Sequence, residues 1–273
     1  MHAEFHAVPV TDRLFRVEMP GNVFGYLVKG TERGAVIDTG FGLGNLRPFA
    51  EELLDGLPYD VILTHGHLDH AGGAAEFDRV WMNEKDVPLA AQHTQPGPRL
   101  GFLRQSCPDL SEDDLIGPKT EGYLPLTPGQ VFDLGGETLR IVDLSGHTLG
   151  NVGVLFEKER ILLAGDACCS FTLFFGGGVS TTIREYRDTL ARLWETYGGS
   201  FDTVLYSHPH NYGGPEIIGQ MIRLCDEILA GQDDRIPMKG AFGGETFIAK
   251  AVGERGRRPD GEIANLQYSM ENL

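Results

Sequence analysis

At 273 residues and 41% hydrophobic content, the chain is long enough to bury a sizeable core without disulfide staples. A formal net charge of −16, with its lysines and arginines scattered, repels a phosphate backbone on average and argues against nucleic acid as a partner. No basic segment leads into an apolar run at the start, and no run approaches eighteen apolar residues, so the expectation is a soluble cytoplasmic protein without membrane contact.

Short β-branched or leucine-rich runs recur along the first 210 residues. In chain order they are Gly25–Val28, Ala35–Ile37, Val61–Leu63, Val80–Met82, Thr138–Val142, Val152–Phe156, Ile161–Leu163 and Thr203–Tyr206, and each reads as a strand closed by a turn. Apolar residues at three and four spacing predict helices over Leu46–Leu54, Ile183–Tyr197 and Ile217–Leu229. The alternation argues for a layered α/β domain. Residues 83–130 are rich in Pro and Gly and read as loops with short helices, either a functional rim or lid or a mere decoration. Beyond the helix ending at Leu229, "TFIAKAV" and "EIANLQYSM" flank a turn-rich stretch and suggest a β-hairpin. The expected organisation is a single domain over 1–273, with a core of about 12–210, the insert at 83–130 and an extension at 211–273. The cysteines, Cys107, Cys168, Cys169 and Cys225, form no CxxC pair and fit small buried hydrophobes in a reducing compartment.

The stretch "THGHLDHAGG" (64–73) places His65, His67, Asp69 and His70 directly after an apolar strand. In an extended segment alternate side chains share a face, so His65 and His67 can reach one point while Asp69 and His70 turn toward a neighbouring one. Two metal ions suit that arrangement. Three further candidates follow apolar strands in the same way: His147 in "SGHTLGN", Asp166 in "GDACC" and His208 in "SHPHN". Strand ends on one edge of a sheet gather in space even when far apart in sequence. Small residues beside them, Gly66, Gly146 and Gly165, let the backbone turn tightly. His2 and His6 in the terminus and His93 in the insert read as solvated side chains.

The segments "AVIDTG" (35–40), "VILTHGHLDHAGG" (61–73), "LRIVDLSGHTLGNVG" (139–153), "ILLAGDA" (161–167) and "TVLYSH" (203–208) resemble, in their order, the metallo-β-lactamase fold hydrolases. The resemblance implies an αββα sandwich with two metals at one edge of its sheets. It implies His65, His67 and His147 as ligands of the first metal, Asp69, His70 and His208 as ligands of the second, and Asp166 as the carboxylate that bridges both. Asp69 and Asp166 are thereby the expected catalytic carboxylates. Asp38 matches a position whose carboxylate orients ligands, although a turn-forming aspartate reads equally well there. His210, two residues beyond His208, is expected to line the pocket or to act as an alternative ligand. In the glycine-rich "FTLFFGGGVSTT" (171–182), Phe171, Phe174 and Phe175 are candidate walls of a substrate pocket, with core anchors as the plain alternative.

Mixed imidazole and carboxylate donors suit two divalent ions, zinc first and iron or manganese as alternatives. Such a pair lowers the pKa of a bound water to about 7, supplying hydroxide without a serine or cysteine nucleophile. The expected activity is hydrolysis of an ester, thioester or lactone of a small molecule. A carboxylate at Asp166 resembles the glyoxalase II and lactonase side of the family rather than the true β-lactamases. The alternative is a mononuclear-iron oxidoreductase like the persulfide dioxygenases; a nuclease fits the acidic charge worst. A homo-oligomer is compatible with the sequence.

Overall fold

The computed structural model describes residues 4–209, 212–240, 243–253 and 258–273. They fall into two compact units, one reaching to Ile141 together with Phe156–Glu159 and Ser207–Pro209, the other comprising Val142–Leu155, Arg160–Tyr206 and the described residues from 212 onward.

The first unit is built on a seven-stranded sheet in simple sequential order: β1 (His6–Pro9), β2 (Leu14–Met19), β3 (Val23–Lys29), β4 (Gly34–Ile37), β5 (Tyr59–Ile62), β6 (Val80–Met82) and β7 (Leu124–Pro125). The first four form an antiparallel meander, and from β4 onward each strand runs parallel to the last. All four residues of β4, "GAVI", are buried, as expected where a parallel strand is covered on both faces. Val36 stands opposite Val61, and both join Leu27, Leu63 and Val80 in the core of this unit. Helix α1 (Leu46–Leu53) buries Leu46 and Ala50 against it.

The four-residue helix α2 (Leu68–Ala71) follows β5. In the segment 83–130, α3 (Val87–His93) and α4 (Pro96–Leu103) each begin with proline in the first turn, where its missing N–H costs nothing. Strands β1 and β2 were not legible as strands. In β2 only Leu14, Val17 and Met19 are buried, and the alternation is blurred by Arg16 and Glu18, which pair with each other at 2.5 Å.

A six-stranded sheet has the order β14-β13-β11-β10-β9-β8, formed by β8 (Val131–Asp133), β9 (Thr138–Asp143), β10 (Val152–Phe156), β11 (Ile161–Leu163), β13 (Thr203–Leu205) and β14 (Tyr212–Gly213). In the second unit β10 is buried throughout, and β11 lies parallel to β13. Helices α5 (Ile183–Tyr197) and α6 (Glu216–Leu229) pack on each other, with Tyr186, Leu190, Met221 and Leu224 in the core. The start of α5 is fixed by a reciprocal cap between Thr182 and Glu185.

The chain ends in a four-stranded sheet of order β12-β17-β16-β15, where β12 is Thr172–Leu173, β15 Ile236–Lys239, β16 Glu245–Ile248 and β17 Leu266–Tyr268. The two segments expected as a hairpin do pair, as antiparallel β16 and β17. They sit inside a larger sheet: β15 adds to one side, and β12, from the phenylalanine-rich segment, adds parallel to the other. No helix among the described residues is long and apolar enough to cross a membrane.

Candidate metal centre

In the first unit His65 and His67 stand on the turn between β5 and α2, and Asp69 and His70 on α2 itself. His65, His67 and His70 are buried, and one carboxylate orients the first and the last of them. Asp38, just past the end of β4, has φ +63°, a left-handed conformation that Asp tolerates better than most residues. Its carboxylate accepts the Thr64 N–H at 2.8 Å, the Thr64 hydroxyl at 2.8 Å and His70 Nδ1–H at 2.9 Å. Because Thr64 gives its only hydroxyl proton to Asp38, its oxygen receives Nδ1–H of His65, 3.0 Å away. The tautomers of His65 and His70 follow from this network: both carry the proton on Nδ1 and present Nε2 as a lone pair.

His65 Nε2 faces His67 Nδ1 at 3.1 Å. Two ring nitrogens so close share either a proton, as an N–H···N hydrogen bond, or a cation. Asp69 Oδ2 lies 3.6 Å from His70 Nε2 and 3.4 Å from His208 Nε2, and the ligand atoms of these three residues all lie within 4.8 Å of one another. His208 is held as His70 is, donating Nδ1–H to the Asn22 carbonyl at 3.0 Å. His210 lies outside the described residues.

The turn owes its shape to α3. Asp86, buried at its start, accepts the Gly66 N–H at 2.9 Å. A Cβ on Gly66 would come within 2.7 Å of the Asp86 carbonyl oxygen, so only glycine fits. At the other end of α3, His93 stacks on His67 with ring centroids 5.2 Å apart and planes 20° from parallel. The expectation of a solvated His93 is therefore corrected: the side chain is half-buried, and burial lowers its pKa against the opposing pull of Asp69. Neither Asp86 nor His93 carries a local sequence signal, since each meets the turn only through the path of the insert.

The second unit holds His147 and Asp166. His147 follows β9 through Gly146, whose missing Cβ leaves room for the Tyr186 ring. Its Nδ1–H goes to the Leu173 carbonyl at 2.6 Å, and its own carbonyl accepts the Ser180 hydroxyl at 2.7 Å. Nε2 is again left as the lone pair, 3.9 Å from Asp166 Oδ2. Asp166 follows β11 through Gly165 at φ +55°.

The three phenylalanines divide. Phe175 meets His147 edge-on at 5.5 Å, Phe171 is exposed, and Phe174 is a core residue, 2% exposed and 5.1 Å from the Tyr186 ring. Cys168 is fully buried, and burial pushes its thiol pKa far up, in keeping with packing rather than thiolate chemistry.

The donor chemistry fits divalent cations. Four imidazoles have Nδ1–H anchored on oxygen and Nε2 left to coordinate, the arrangement in which an outer acceptor sets tautomer and ring orientation. Borderline nitrogen donors mixed with carboxylates suit zinc, and also iron or manganese.

The fold is similar to that of a metallo-beta-lactamase from Pontibacter korlensis, with a TM-score of 0.60 at 18% identity over 82% of this chain and 99% of the other. In sequence the chain is 27% identical over 217 residues to the human acyl-coenzyme A thioesterase MBLAC2, covering 70% of this chain and 75% of the relative. It is 29% identical over 161 residues to the hydroxyacylglutathione hydrolase GloC of Haemophilus influenzae, covering 55% of this chain and 66% of the relative. A family description, Metallo-beta-lactamase superfamily, matches residues 19–208, a span that runs from the end of β2 through every donor considered above, and the chain belongs to that superfamily.

Proposed function

We propose that this protein, a metal-dependent hydrolase of its superfamily, cleaves thioesters of small acyl carriers at a centre for two divalent cations, zinc first among them. His65, His67 and His147 serve one cation, Asp69, His70 and His208 the other, and Asp166 is shared. The observation that carries the reading is the common orientation of the imidazoles, each pinned at Nδ1 or paired so that a lone pair is presented. When bound, a pair of cations acidifies water and polarises a carbonyl.

The residues of the chain do the rest. Asp38 holds His70 and, through Thr64, His65 in their coordinating tautomers. The carboxylates of Asp69 and Asp166 would offset the cationic charge, and Asp69, which is only partly buried, would take up the single proton of the attacking water. Phe171 and Phe175 are the two remaining candidates for an apolar wall along the acyl group.

Thioesters are favoured on chemical grounds as well as by the names of the relatives. A thiolate, with a parent pKa of about 8.5, leaves at neutral pH without a protonated donor beside it, whereas an amine needs one. The similar human protein is an acyl-coenzyme A thioesterase, and an acyl-glutathione is likewise a thioester.

The test is metal analysis of protein purified without added metal, followed by thiol release from acyl-coenzyme A and acyl-glutathione beside matched oxygen esters and lactones. We expect two cations per chain and faster turnover of thioesters, lost on chelation and restored by zinc. One iron per chain with oxygen uptake on a persulfide would overturn the reading in favour of an oxidoreductase.

A further inference from the structure

Arg99, in α4 of the insert, has no exposed surface, and among the described residues no carboxylate pairs with it. Its hydrogen bonds go to main-chain carbonyls alone. Nη1 donates to Phe41 and Gly72 at 3.1 Å each, Nη2 to Ile116 at 2.7 Å, and Nε to Gln95 at 3.4 Å. Burial lowers its pKa to about 10, which leaves it charged at neutral pH. A buried cation without a counterion is costly, and a leucine or methionine would fill the space at less cost. Something other than packing is served by the charge.

The carbonyls it holds point to what that is. Gly72 closes α2, the four-residue helix that carries Asp69 and His70, so the guanidinium caps the unsatisfied C-terminal end of that helix. Phe41 lies three residues beyond Asp38, on the loop that supplies the acceptor for His70. Loop and helix are already joined where Thr39 donates its N–H and its hydroxyl to the His70 carbonyl, at 2.7 and 2.8 Å. Their backbones touch: a Cβ on Gly72 would lie 2.5 Å from the Phe41 carbonyl, and one on Gly42 would lie 2.4 Å from the Gly72 oxygen and 2.8 Å from Arg99 Nη1. Phe102, one turn after Arg99, stacks on Phe41 at 5.1 Å.

We infer that Arg99 is a positioning residue, through which the insert clamps the Asp38 loop to α2 and thereby sets the geometry of the Asp69, His70 and His208 donors. The inference rests on the binuclear reading. It makes residues 96–116 a buttress of the centre. The two cation sites feel the clamp unequally: His70 is bonded to both segments that Arg99 joins, whereas His65 is reached only at one remove, through Asp38 and Thr64, and its turn is also held by the Gly66–Asp86 contact.

Stepwise zinc affinities of the full-length apoprotein, read by competition with a chelating indicator, test it. His208→Ala marks which step belongs to the Asp69, His70 and His208 donors, since His208 is anchored on Asn22 rather than by Arg99. Arg99→Met is expected to weaken that same step by about ten-fold or more while the other step changes less than about two-fold. Arg99→Lys keeps the charge but not the fork, and is expected to fall between the two; it also serves if the methionine variant does not fold.

Equal weakening of both steps, or a lowered Tm with both affinities unchanged, overturns the inference and leaves the binuclear reading standing. A wild-type chain that takes up fewer than two cations overturns both.

Discussion

At the scale of single residues, the candidate centre is governed by who donates to whom. Asp38 accepts three hydrogen bonds, two from Thr64 and one from His70, and a carboxylate is the only side chain of that size that accepts all three without donating. Asp38→Asn keeps the shape and tolerates the left-handed backbone, but places an N–H where an acceptor stood. His70 then loses the partner that keeps its proton on Nδ1. We expect zinc affinity at the Asp69, His70 and His208 donors to fall about 10- to 100-fold, with a smaller loss at His65, which Asp38 reaches through Thr64. Zinc competition titration and nitrogen shifts of the histidine rings check this; an unchanged affinity would show that Asp38 is only a turn residue.

At the scale of elements, the parallel half of the first sheet is tied together by a buried acid. Asp60 in β5 accepts hydrogen bonds from Arg33, just before β4, and from Arg79 and Trp81 at the start of β6. Burial alone would raise its pKa. The hydrogen bonds from Trp81, Arg79 and Arg33 outweigh that and hold it below the usual carboxylate value. With the folded pKa below the unfolded value of about 3.9, the contribution to stability is full above that pH and is lost as pH falls through the lower folded pKa. Asp60→Asn should therefore be less stable than the parent at pH 7, and the gap in urea midpoint should narrow below about pH 4. A gap that stays constant into acid would mean that the charge of Asp60 contributes nothing.

At the scale of the whole molecule, the strongest coupling expected is between cation binding and folding. Anything that binds only the folded chain stabilises it by RT ln(1 + [L]/Kd), about 4 kcal/mol at a thousand-fold excess over Kd. For a chain of this size that corresponds to a rise in Tm on the order of 10 °C. Melting curves recorded with a chelator and with excess zinc should differ by that order. Superimposable curves would sink the proposal that these histidines and aspartates hold cations in the folded state.

The sequence by itself determined the parts whose cause is local. The apolar runs that became β3 to β6 and β9 to β11, the three- and four-spaced patterns that became α1, α5 and α6, and the candidate donors just beyond strand ends were all legible, because burial periodicity and strand-to-turn spacing are written within a few consecutive residues. Tertiary structure alone decided what orients the donors. His70 takes its acceptor from 32 residues away, Gly66 meets Asp86 across 20, and Arg99 reaches Phe41 across 58. It also decided that His93 stacks on His67, that Phe174 belongs to the core, and that β12 and β15 enlarge the expected hairpin into a sheet. These are single contacts between segments far apart in the chain. They leave no periodicity behind, and they exist only once the sheets have brought the segments together.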